Sequence, residues 1–100
     1  MPEEGATISR ERVEKYISIT SQALAKLRIT VPERSFNRKL ADDFLRMAKA
    51  YFEDAKDFAD KGDLVNAFAC VNYAHGWLDC GARLGLFDVG QDDKLFTLYE

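Results

Sequence analysis

Gly62-Asp63-Leu64-Val65-Asn66-Ala67-Phe68-Ala69-Cys70-Val71-Asn72-Tyr73-Ala74-His75-Gly76-Trp77-Leu78-Asp79-Cys80-Gly81-Ala82-Arg83-Leu84-Gly85 is the stretch that decides the fold. Gly62 suits the end of one helix, Asp63 the N-cap of the next, and Gly85 the residue just past a helix end. On a helical wheel, Leu64, Ala67, Phe68, Val71, Leu78 and Ala82 form a core stripe. The far side carries Ala69, Cys70, Tyr73, Gly76, Trp77, Cys80, Gly81 and Leu84, and only Asp79 and Arg83 are formally charged. A helix this apolar is expected to be covered on more than one side. Three helices cannot surround one of their own, so the cover is either the C-terminal tail, through Leu95, Phe96 and Tyr99, or a second protein chain. Gly76 and Gly81 each cost about 1 kcal/mol relative to alanine, which favours a close neighbour at that face.

Working outward, a second helix is expected from about Glu33 to Lys61. Phe36, Leu40, Phe44, Met47, Tyr51, Ala55 and Phe58 share one face, widened by Leu45, Ala48, Phe52 and Ala59. Asp42, Arg46, Lys49, Glu53, Asp57 and Asp60 fill the other side and read as a solvated face with pairs four residues apart. The short connection at Gly62-Asp63 then forces an antiparallel hairpin. A first helix, capped by Thr7 or Ser9 and running to about Leu27, presents Val13, Tyr16, Ile17, Thr20, Leu24 and Leu27. Ile29, Thr30, Val31 and Pro32 break it. The expected fold is all-α: an up-and-down three-helix bundle with a long hairpin of helices two and three. Residues 1–100 read as a single domain, with residues 1–6 a flexible tail and residues 88–100 a tail docked on the bundle.

The 100 residues carry a net charge of -3, 47% hydrophobic and 31% charged side chains, with two prolines and six glycines. Such a composition belongs to an ordinary globular domain and leaves little material for many β-turns. An acidic balance supplies no clustered cations for phosphate neutralisation, so neither nucleic acid nor an anionic membrane surface is expected as a partner. No uncharged apolar run is long enough to span a bilayer, and the acidic start at Met1-Pro2-Glu3-Glu4 does not read as a secretory signal, so a cytoplasmic location is expected. Cys70 and Cys80, ten residues apart on one helix, would lie about 15 Å apart and stay reduced.

Candidate chemistry is sparse. His75 is the only histidine, and Asn72, His75, Asp79 and Arg83 share one face of the third helix. A general base oriented by Asp79 is one reading. The simpler one is a buried, hydrogen-bonded histidine that fixes the register of a helix pair, since no serine or cysteine nucleophile falls beside it. One histidine and two separated cysteines do not make a zinc set, and Glu53, Asp54, Asp57 and Asp60 read as solvated, so no metal and no cofactor is expected. Tyr73 with Trp77 could stack a base, but with Arg83 the sole nearby cation, packing is the simpler role.

The block Asn72 to Phe87, preceded by Gly62-Asp63 and Ala67-Phe68, resembles the archaeal family called Domain of Unknown Function 357. That family carries a similar Tyr-x-x-Gly-Trp-Leu-Asp-x-Gly-x-Arg-Leu-Gly block at the end of a helical hairpin. The resemblance is best over residues 40 to 87 and implies a small helical bundle in an archaeal cytoplasm, with no catalytic residues to transfer. A looser similarity is to helical-hairpin nucleotide-binding and ribonuclease domains of the HEPN type. Their nuclease members place an arginine shortly before a histidine, and Ala67 to Ala74 contains none. The function expected is a non-enzymatic interaction or self-association module using Ala69, Tyr73, Gly76, Trp77 and Cys80, with itself as a homodimer or another protein as partner. The alternative is a small-molecule or nucleotide-handling enzyme with a site at His75 and Asp79.

Overall fold

In a computed structural model, residues 7–98 are described; the expected tail at residues 1–6 and Tyr99 lie outside them. Three helices, α1 (Arg10–Lys26), α2 (Phe36–Asp60) and α3 (Leu64–Arg83), form the all-α bundle, and two-residue strands β1 (Arg28–Ile29) and β2 (Phe87–Asp88) pair antiparallel. In that ribbon Arg28 faces Asp88 and Ile29 faces Phe87. The β-branched residues after α1 therefore do more than end the helix: they accept the chain returning from α3.

Each helix start has a local cause. Ser9 caps α1 by accepting the Arg12 N–H, and Ser35 caps α2 by accepting the Arg38 N–H. Ser35 also donates to the Pro32 carbonyl, which holds the turn Pro32–Ser35 outside the helix and starts α2 later than Glu33. Both α2 and α3 end at a left-handed glycine, Gly62 at φ 81° and Gly85 at φ 77°. The paired bonds Gly62 N–H to Ala59 O with Asp63 N–H to Phe58 O, and Gly85 N–H to Ala82 O with Leu86 N–H to Gly81 O, satisfy the last carbonyls. Asp63 closes one helix with its backbone and caps the next with its side chain, which accepts the Asn66 N–H.

Small side chains recur along the seam between α2 and α3, beside the larger buried Phe52, Val71 and Leu78. Ala41, Ala48 and Ala55 on α2, and Ala67 and Ala74 on α3, are fully buried, and Gly81 continues the second row. Both rows step by seven residues, and the ring pairs Phe44–Trp77 and Tyr51–Tyr73 set the two helices at matching levels. On the expected face of α2, Ala48, Phe52, Ala55 and Ala59 are buried and Phe44, Tyr51 and Phe58 flank the seam half-buried, but Phe36, expected there too, is 72% exposed. Gly81 is corrected too. It faces inward, because a Cβ there would sit 2.1 Å from the Phe87 ring.

The helix α1 lies mainly against α3, with Val13, Thr20 and Ala23 buried. Its N-terminal Arg10 guanidinium donates to the Ala59 carbonyl at 3.1 Å, at the negative end of the α2 dipole. The core divides along a rod of 54 × 27 × 20 Å. Val13, Ala59 and Ala67 hold one cluster; Leu78, Leu86, Phe87, Val89 and Phe96 belong to the other.

Candidate functional site

Two regions of α3 carry the residues singled out from sequence. The first is the His75 side, which faces α1 and the segment Asp92–Leu98. The His75 Nδ1 lies 3.0 Å from Thr20 Oγ1, and its Nε2 lies 2.6 Å from the Leu95 carbonyl. A carbonyl only accepts, so Nε2 carries the proton, and in the neutral ring Nδ1 accepts from the Thr20 hydroxyl. One turn along, Asp79 accepts the Thr97 N–H at 2.9 Å, and its carboxylate stands 3.7 Å from His75 Nε2. His75 and Asp79 thus clasp the backbone on either side of Phe96, whose ring is 2% exposed in the core.

The alignment Thr20–His75–Asp79 places a hydroxyl, an imidazole and a carboxylate in contact order, which the sequence did not suggest because Thr20 lies 55 positions from His75. As an acyl-transfer set it is poorly disposed. Thr20 is 1% exposed, and the Nε2 proton that an orienting Asp79 would accept goes to the Leu95 carbonyl instead, with the carboxylate 3.7 Å away. A cavity of about 340 Å³ runs along this seam, with Tyr16, Asn72, His75, Asp79 and Lys94 in its wall. Arg83 does not line it, so the fourfold set Asn72, His75, Asp79 and Arg83 is only partly brought together. Among the described residues no group of three His, Cys, Asp or Glu side chains could hold a metal ion.

The second region is the outward face of α3. Ala69, Tyr73, Gly76 and Cys80 are exposed, and Val65, Tyr73 and Leu84 are 58%, 52% and 64% exposed. A depression of about 290 Å³ is lined by Tyr73, Gly76, Trp77 and Cys80. Tyr73 and Trp77 are not turned wholly outward, however. Trp77 packs edge-on against Phe44 at 5.1 Å, and Tyr73 against Tyr51 at 4.5 Å. The Trp77 Nε1–H is enclosed without a hydrogen-bond partner. Gly76 lies on the rim shared by this depression and the His75 cavity, and a Cβ added there would meet nothing within 4 Å. The two described thiols are free: Cys80 is exposed, while burial, then Asp54 and Asp63, push the Cys70 thiol above its ordinary pKa.

A close hairpin, a further helix docked on it and a histidine used as a clasp define a small all-α helical bundle. The chain belongs to the family described as "Protein of unknown function (DUF357)", which it matches over residues 15–87. It is also similar to Protein GET4 of Arabidopsis thaliana, with 27% identity over 82 residues, covering 82% of this chain and 25% of that protein. The chain thus spans a quarter of that relative's length. No solved structure matches it, and no helix among the described residues is long and apolar enough to cross a membrane.

Proposed function

We propose that the protein is a non-enzymatic helical interaction module that acts as one domain in the cytoplasm and docks a protein chain, its own copy first, on the outward face of α3. The observation that carries this reading is Gly76. A mid-helix glycine costs about 1 kcal/mol against alanine, and no described residue occupies the space its missing side chain leaves. Bare backbone at that point, between the apolar residues Val65, Ala69, Tyr73, Cys80 and Leu84, lets a second helix approach closely. The 25% share of the Arabidopsis protein supports the same idea, because a segment similar to this chain there stands within a much longer polypeptide.

Gly76→Leu tests the reading. The variant should keep or slightly raise its thermal stability, since leucine is a good helix former in open space. Light scattering at tens of micromolar should show the wild-type complex and a loss of it in the variant. Unchanged association in a folded Gly76→Leu chain overturns the reading.

A further inference from the structure

The segment Asp92–Leu98 is a strap fastened into a groove between α1 and α3. It has its own internal order. Asp92 Oδ1 accepts the N–H groups of Lys94 and Leu95, and the Phe96 N–H donates to the Asp92 carbonyl. Its seat reads it at a few points: the Phe96 ring in the core cluster, His75 on the Leu95 carbonyl, Asp79 on the Thr97 N–H, and Lys26 paired with Asp92 at 3.1 Å. None of these contacts requires strap and seat to belong to one molecule. The cavity along the seam shows that the strap does not fill its groove.

The connection to the bundle is the turn Val89–Asp92, closed by the Asp92 N–H on the Val89 carbonyl. Both central residues have positive φ, Gly90 at 62° and Gln91 at 65°. Gln91 is the one described non-glycine residue in that region, and its Cβ is strained there. Straightening the turn releases that strain.

We propose that the strap is exchangeable: the groove of one chain accepts the Asp92–Leu98 segment of a second copy, giving a two-fold dimer in which every strap contact is remade across chains. The hinge is Gly90–Gln91, and the exchange uses the α1/α3 groove, separate from the outward face around Gly76. It is the low-cost route to a dimer open to a protein with a self-contained element on a strained turn.

The test uses the full chain with Cys70→Ser and Cys80→Ser, carrying Asp79→Cys and Thr97→Cys so that strap and seat can be joined by a disulfide. Light scattering and a non-reducing gel are then read together. With the native hinge, the disulfide should form mainly within one chain at low concentration, and refolding at rising concentration should convert it to a covalent dimer. Gln91→Pro, which forbids positive φ, should raise the dimer-to-monomer ratio on the order of tenfold or more, and Gln91→Gly should lower it. Gly76→Leu should leave this dimer intact, so loss of the outward-face complex and failure of strap exchange are separate outcomes. A chain that stays a monomer with an internal disulfide at every refolding concentration overturns the proposal even if Gln91→Pro does not fold. So does a dimer whose disulfides remain within chains.

Discussion

At the scale of single residues, Gly76 and Gly81 stand five positions apart on one helix and answer opposite demands. Gly81 admits the Phe87 ring, and a methyl group there would overlap it; Gly76 opens on empty space. Alanine should therefore act with opposite sign at the two sites. Gly76→Ala should stabilise the fold by about 0.5–1 kcal/mol through helix propensity. Gly81→Ala should destabilise it by about 1–3 kcal/mol, because the buried ring of Phe87 has little freedom to retreat. For a domain of this size each kcal/mol moves Tm by about 4–8 °C, so thermal unfolding resolves the difference. Equal shifts in one direction would mean that Phe87 moves aside freely. Sequence alone gave both glycines the same outward role, since the wheel of α3 does not show which of its faces the Phe87 ring covers. His75 was legible as a hydrogen-bonded residue on a helix face. Its partners were not, because Thr20 and Leu95 are distant in sequence and one of them contributes only a carbonyl.

At the scale of elements, the hairpin was legible from Gly62-Asp63, and so were Ala48, Phe52, Ala55 and Ala59 on the face it closes, but the weight within that face was not. Ranking by bulk sets Phe44, Tyr51 and Phe58 at the centre, whereas close helix approach requires small residues there. Ala41 and Ala74 are the fully buried residues that such a ranking overlooks. The strap is a second element whose order depends on one side chain. Hydrogen bonding from the Leu95 N–H, then Lys26, holds the Asp92 carboxyl below its ordinary pKa. A depressed carboxylate contributes stability that is complete above its unfolded value and is lost as pH falls through the folded one. The strap should thus stay fastened from neutral pH down to the usual carboxylate range, near pH 4, and loosen only below it. The Thr97 amide resonance, which reports the bond to Asp79, should follow that course while the helical signal persists. Loosening already near neutral pH would assign the fastening to another group, and Asp92→Asn should remove the part of the acid dependence that the Leu95 amide, bonded to Asp92, reports.

At the scale of the whole molecule, the rod holds two core clusters and has no single centre, so its parts need not open together. The α2–α3 hairpin has the most extensive packing, with its two small-residue rows buried along the length. The helix α1 rests chiefly on α3, tied by Val13, Thr20 and Ala23, by Arg10 on Ala59, and at its far end by β1 and Lys26. Unfastening α1 exposes less apolar surface than opening the hairpin, and less exposed surface means a lower opening free energy. Native-state hydrogen exchange should therefore rank the amides. Those around Ala48, Ala55, Val71 and Ala74 should open only with global unfolding, and those around Val13 to Ala23 should exchange roughly tenfold faster or more, a gap of about 1.4 kcal/mol. Equal protection in α1 and α3 would show one cooperative unit, with the Thr20–His75 contact and the β1–β2 ribbon binding α1 as firmly as the seam binds the hairpin. A graded result would instead make the hairpin the scaffold that keeps the outward face of α3 in shape while α1 and the strap release the groove beside it.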